Sequence, residues 1–277
     1  MNFNNLFYFC RMFRSALFPL LLVGLLVVSF GCQNYQKIIK TADNDTKYET
    51  GMDLYEKGDF NKALLFFDLL RAVYRGTEKG AELTYYSANC YYQTKNYTVA
   101  AYYYKQYTQM YPRSEFALES AYMSAYCSYL NSPRPELDQS STYQALSELQ
   151  QFIDKYPKSK QVKYANELMD NLRLKLEIKA YKISYLYYRM GDYQAAITSF
   201  ENLMSDYPDS DYKEKILYYI TKAYYQYAEK SIFEKREERF EKTVEAYNNL
   251  VYLFPKSKYI KDVTNINEEA RKNLKNK

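Results

Sequence analysis

The chain has 277 residues and a net charge of +5, with 36 tyrosines and 15 phenylalanines but no histidine, no tryptophan, and only 7 glycines and 7 prolines. Without histidine there is no Ser-His-Asp or Cys-His pair, no imidazole base and no His-containing zinc or iron site, and no glycine falls in a GxGxxG or GxxxxGK(S/T) phosphate cradle. A composition of 26% charged and 47% apolar residues is that of a folded chain, and scarce glycine and proline favour long helices, so an all-α, non-enzymatic protein is expected, with no catalytic residue, metal or cofactor.

Along the chain, Arg11 and Arg14 precede an uncharged run from Ser15 to Gly31 rich in leucine and valine, the pattern of a signal peptide. The run closes on SFGC, Ser29 to Cys32, which resembles a bacterial lipoprotein signal with cleavage after Gly31 and acylation of Cys32; Ser29 stands where leucine is usual. An uncleaved anchor is the alternative, because about 17 uncharged residues just reach across a bilayer. Met12 is a second candidate start. Residues 1–31 carry only Arg11 and Arg14 as charges, so without them the net charge is +3, which points to no nucleic-acid partner. Residues 32–46 then read as a polar tether between lipid and folded domain.

Cys10 belongs to the leader and Cys32 to the lipid, which leaves Cys90 and Cys127, 37 residues apart. In an oxidising periplasm they can pair. The alternative, and the favoured one, is two small buried side chains at equivalent positions of a repeat.

A repeat is plain in the sequence. YPRS (Tyr111 to Ser114), YPKS (Tyr156 to Ser159), YPDS (Tyr207 to Ser210) and FPKS (Phe254 to Ser257) each follow a helical pattern, and KGDF (Lys57 to Phe60), KNYT (Lys95 to Thr98) and MGDY (Met190 to Tyr193) mark tight turns upstream. Helix, turn, helix and proline-ended loop resemble the tetratricopeptide repeat, whose period is about 34 residues. That resemblance implies a right-handed superhelical solenoid of about five repeats. On its template, small residues fall where the first helix admits the second (Gly51, Ala88, Ala125, Ser184, Thr221). The second helix answers with Ala63, Ala100, Ala145, Ala196 and Thr243, followed by Phe67, Tyr104, Leu149, Phe200 and Tyr247, then Leu70, Tyr107, Phe152, Leu203 and Leu250. Small residues facing large ones at i+4 and i+7 are a core pattern. Insertions are expected at Asn131 to Ser141 and Glu229 to Arg239, and one long helix over Lys160 to Met190, which lacks proline and glycine. The expected organisation is residues 47–157 as repeats 1–3, 158–260 as the long helix with repeats 4 and 5, and 261–277 as a basic tail.

Two positions seven residues apart are tyrosine in every repeat: Tyr48, Tyr85, Tyr122, Tyr181 and Tyr218, then Tyr55, Tyr92, Tyr129, Tyr188 and Tyr225. Seven residues are two helical turns, so each pair shares one stripe of the first helix, which in the repeat family lines the concave, ligand-bearing side. A broad apolar ring with a hydroxyl that tolerates water suits peptide binding. Packing between repeats is the competing explanation, and exposure discriminates between them.

The cysteine-ended leader followed by five such repeats resembles the BamD family of lipoproteins that serve outer-membrane β-barrel assembly. The organisation matches over residues 32–260, and the sequence is specific in Lys175 to Ser210 and in Tyr48 to Phe67. This resemblance implies an outer-membrane, lipid-anchored, periplasm-facing scaffold. Unfolded barrel precursors would then meet Tyr48, Tyr55, Tyr85, Tyr92, Tyr122 and Tyr129, while a barrel-forming subunit of the BamA type would dock at Tyr181, Tyr188, Tyr218 and Tyr225. The alternative function is a periplasmic repeat adaptor coordinating peptidoglycan synthesis or envelope constriction. A carbohydrate-uptake lipoprotein would need a longer chain and tryptophan.

Overall fold

The protein is described here from a computed structural model over residues 35–275. The signal peptide, cleavage after Gly31 and acylation of Cys32 lie outside the described residues. The described residues divide into two compact units at the junction of Asn131 and Ser132. In the first, α1 (Asn44–Glu56) and α2 (Phe60–Arg71) form one hairpin, α3 (Glu78–Gln93) and α4 (Tyr97–Met110) a second, and α5 (Ala117–Leu130) packs on α4. In the second, α6 (Ser140–Lys155) packs on α7 (Gln161–Met190), which forms a hairpin with α8 (Tyr193–Asp206). A further hairpin of α9 (Lys213–Glu229) and α10 (Phe233–Leu253) is closed by α11 (Ile260–Lys275). This is the all-α tetratricopeptide class, with one departure: the division between units falls between α5 and α6, inside the third repeat.

The turns explain why each helix stops where it does. Gly58, Lys95 and Gly191 occupy equivalent positions with φ of 78°, 60° and 81°. The left-handed residue lets the next amide reach back to the first helix: Asp59 N to Leu54 O (2.8 Å), Asn96 N to Tyr91 O (2.8 Å) and Asp192 N to Tyr187 O (3.1 Å).

The Y-P-x-S motif is a turn and a cap in four residues. Proline ends the helix, the serine amide donates to the carbonyl of the motif's first aromatic (Ser114 to Tyr111, 3.1 Å; Ser159 to Tyr156, 3.0 Å; Ser210 to Tyr207, 3.1 Å; Ser257 to Phe254, 3.0 Å), and the serine oxygen then accepts an amide two residues on. Those acceptances are from Phe116 (3.3 Å), Gln161 (3.2 Å), Tyr212 (3.0 Å) and Tyr259 (3.1 Å), which opens the next helix.

The small positions are buried as the repeat register requires. Ala63, Ala88, Ala100, Ala145, Ala196, Ser184, Thr221 and Thr243 are fully enclosed, and Phe67, Tyr104, Leu149 and Phe200 fill the space opposite. Cys90 and Cys127 are free and buried, and burial pushes both thiols up to about 12. They are small core residues, not a disulfide.

Three segments differ from the sequence expectation. Residues 35–41, assigned to the tether, are helical because Tyr35, Ile38 and Ile39 lie at i, i+3 and i+4 and pack on the α1–α2 core. Of the insertion at Glu229 to Arg239, the part from Phe233 onward lengthens α10 at its start and adds no loop there. The basic tail is the helix α11, which buries Val263, Asn267 and Ala270 at i, i+4 and i+7.

Candidate peptide-binding site

None of the ten stripe tyrosines is fully exposed, and the two positions differ. Tyr85 and Tyr181 are 8% exposed, and the other eight are half-buried. At Tyr85, Tyr181 and Tyr218 the first position is a packing position, and its partner is an aromatic residue five places after the start of the Y-P-x-S motif. Tyr85 stacks on Phe116 (centroids 4.5 Å, planes 17° apart), Tyr181 on Tyr212 (5.1 Å, 22°) and Tyr218 on Tyr259 (4.1 Å, 15°). The extended signal, Y-P-x-S-x-(F/Y), is present in the sequence at three of the four motifs.

Two hydroxyls of this position are committed to the fold. Tyr48 donates to Glu82, and Tyr218 donates to Asp262 (2.6 Å) while accepting from the Lys222 ammonium (3.0 Å). The Tyr181 hydroxyl is buried without a hydrogen-bond partner. Burial pushes the Tyr85 phenol up to about 12 and raises Tyr48 and Tyr181 as well.

The aromatic surface that stays half-open is built around the second position. On α5, Tyr122, Tyr126 and Tyr129 form a ladder of nearly parallel rings, 6.0 and 6.1 Å apart at 7° and 11°, with Tyr92 of α3 set 6.3 Å from Tyr126. On α7, Tyr181, Tyr185 and Tyr188 repeat the stacking at 6.3 Å spacings, with Tyr219 of α9 against the last two, but there the first ring, Tyr181, is buried. Tyr126 and Tyr185 complete the pattern Y-x3-Y-x2-Y on one helical face; they are absent from the stripe because Met52, Asn89 and Lys222 hold that place in the other repeats.

A separate cleft of about 400 Å³ in the first unit is lined by Asp68, Arg71, Arg75, Thr84 and Gln106. Arg71 is engaged there by Asp68 and by the ring of Tyr103. Among the described residues there is no group of acidic, cysteine or histidine side chains able to hold a metal, and no helix long and apolar enough to cross a membrane.

Because the raised tyrosine and thiol values belong to the folded state, the stability these groups contribute is fully present below about pH 9 to 10, where the unfolded groups begin to ionise, and that contribution is lost as pH rises towards about 12. In an alkaline titration, loss of helical circular dichroism should coincide with the last tyrosinate absorbance to appear. Complete ionisation with the helices intact would contradict the burial described.

Hairpins of helices joined by left-handed turns and closed by a proline-serine cap, with ordered aromatic faces, define a tetratricopeptide-repeat fold. The chain belongs to the YfiO family of outer membrane lipoproteins, whose model matches residues 40–240. It is 23% identical over 177 residues to the outer membrane protein assembly factor BamD of Caulobacter vibrioides, and the match spans 64% of this chain and 58% of that relative. Among solved structures it is similar to the TPR domain of P58(IPK), at 15% identity and a TM-score of 0.40 over 87% of this chain and 68% of that one. A TPR-repeat protein of Bacteroides fragilis matches at 15% identity and a TM-score of 0.37 over 83% and 99%.

Proposed function

We propose that this protein is a lipid-anchored, periplasm-facing, non-enzymatic scaffold of outer-membrane β-barrel assembly. Its first unit receives unfolded barrel precursors and its second docks on a barrel-forming subunit of the BamA type. The family match supports the setting, and the observation that carries the binding role is the half-open ladder of Tyr122, Tyr126 and Tyr129 with Tyr92 beside it. Barrel strands alternate apolar and polar residues and are rich in aromatics. A row of parallel rings holds such a strand by face and edge contacts and reads no exact sequence. No covalent step is needed, since insertion is driven by burial in lipid.

Replacing Tyr92, Tyr122, Tyr126 and Tyr129 by alanine should weaken binding of a peptide copying a terminal barrel strand, each ring contributing about 0.5–1.5 kcal/mol, without full additivity. Fluorescence anisotropy on variants with wild-type circular dichroism checks this, and unchanged affinity would remove the ladder from the site. Docking to the barrel subunit should survive these changes, because Tyr188, Tyr218 and Tyr225 lie in the other unit.

Anchoring is tested apart from binding. Cys32→Ala should leave the protein soluble or as an uncleaved precursor, read by membrane fractionation and by fatty-acid-analogue labelling of the wild type; an unlabelled wild type would refute acylation.

A further inference from the structure

In a stack of helix hairpins, the first helix of each repeat is covered by the second helix of the repeat before it. Two positions record that cover. In the second repeat they are Ser87, whose Oγ lies 3.4 Å from the Arg71 guanidinium of α2, and Tyr91, packed on the α1–α2 core. In the third repeat Ser124 donates to the Ala101 carbonyl of α4 at 3.1 Å, and Ser128 is buried. In the fifth, Ile220 is 5% exposed within a cluster that includes Phe200 and Met204 of α8, and the Tyr224 hydroxyl donates to Glu201 of α8 at 3.0 Å.

The fourth repeat carries the same pair as the fifth, isoleucine and tyrosine four residues apart, at Ile183 and Tyr187. Here both are exposed. Leu186 (52%) and Met190 (70%) extend them into an apolar stripe at i, i+3, i+4 and i+7. Length explains the vacancy. At 1.5 Å per residue the 30 residues of α7 run about 45 Å and the 16 of α6 about 24 Å, so α6 cannot cover α7 from end to end. Beside the stripe, the linker after Ser132 is held along α7 by Lys175, Lys179 and Lys182, which bond Ser132, the Leu137 carbonyl and Glu136.

We infer that the Ile183–Leu186–Tyr187–Met190 face of α7 is an open stacking position that takes an amphipathic helix from a partner protein. That helix has the chemistry α8 shows to α9, an apolar stripe flanked by a carboxylate placed to accept the Tyr187 hydroxyl as Glu201 accepts Tyr224. On the flank of α7 beside the stripe, Lys182 is paired with Glu136, and Arg189 further along the helix matches an acidic helix edge. This site is distinct from the tyrosine ladder of α5, which is proposed for extended strands, and it does not depend on that proposal.

The test uses the full chain and a side-chain-stapled helix copying α8, Tyr193 to Asp206, since an unstapled helix of that length is marginal in water. The labelled peptide should bind saturably. Leu186→Glu and Met190→Glu, both at exposed positions and with unchanged circular dichroism, should each weaken it by at least about tenfold. Leu174→Glu, on the opposite side of α7, should leave it unchanged, and a peptide with Glu201→Gln should bind more weakly to wild type but equally to Tyr187→Phe. No saturable binding, binding indifferent to Leu186→Glu and Met190→Glu, or equal loss with Leu174→Glu would overturn the inference. So would Met190→Glu abolishing self-association or vesicle binding in place of peptide binding, which would assign the face to a second copy or to lipid.

Discussion

Gly51→Leu should lower the stability of the first unit by about 1–3 kcal/mol, the cost of overpacking a closed core. Gly51 is buried where α1 crosses α2. A Cβ there would stand 2.9 Å from Phe67 Cε1 and 3.0 Å from Phe66 Cβ, and both phenylalanines are fully enclosed, so neither ring has space to withdraw into. Leucine adds three further carbons to a contact already too close for one. Ala196→Leu tests the corresponding crossing of α7 and α8 in the second unit, where Ser184 and Phe200 are equally enclosed. For a chain of this size the melting temperature should fall by about 2–4 °C per kcal/mol. Unchanged melting would mean that the repeat register is wrong.

Gly80→Ala carries the second large effect, and its sign is the informative part. In an ordinary helix this change stabilises by roughly 0.5–1 kcal/mol through chain entropy. Gly80 lies in the first turn of α3, where its Cβ would fall 2.0 Å from the Tyr74 carbonyl oxygen and 2.8 Å from the carbonyl carbon. That oxygen is held in place, accepting the Thr77 amide at 3.0 Å and the Thr77 hydroxyl at 2.7 Å, while Thr77 Oγ1 caps the Gly80 amide at 3.2 Å. Backbone, not a movable side chain, must give way, so alanine should cost about 1–3 kcal/mol. The midpoint of urea unfolding reads the sign directly; a rise would contradict the close approach between loop and helix.

Much of the fold was legible because it repeats. Four Y-P-x-S motifs, the small-to-large spacing of the hairpins and the unbroken stretch before Met190 determine helices, turns and core, and the structure places these residues as that pattern requires, except that Tyr247 is only half-buried. The site was legible only in part. Tyrosine at both stripe positions announces an aromatic face, but sequence does not say which rings are spent on packing. Tyr85 and Tyr181 are, because Phe116 and Tyr212 arrive from the following loop to stack on them. Tyr126 and Tyr185 were hidden by the neighbouring repeats, which hold other residues at that place. The helix over residues 35–41 has one turn of apolar residues, too short a period to stand out from a polar tether. The open face of α7 is a matter of length: Ile183 and Tyr187 look like Ile220 and Tyr224 in sequence, and only the reach of the preceding helix separates covered from bare.

The central claim is that the tyrosine ladder of α5 holds barrel precursors in transit. A photo-crosslinking amino acid placed at Tyr126 in cells making a pulse-labelled barrel protein tests it most directly. The account predicts a crosslink to the unfolded precursor that appears during the pulse and disappears in the chase as the barrel folds, with no such adduct from the same probe at Tyr252, an exposed site on α10. Absence of the adduct at Tyr126, or an adduct that persists after the barrel has folded, would contradict it.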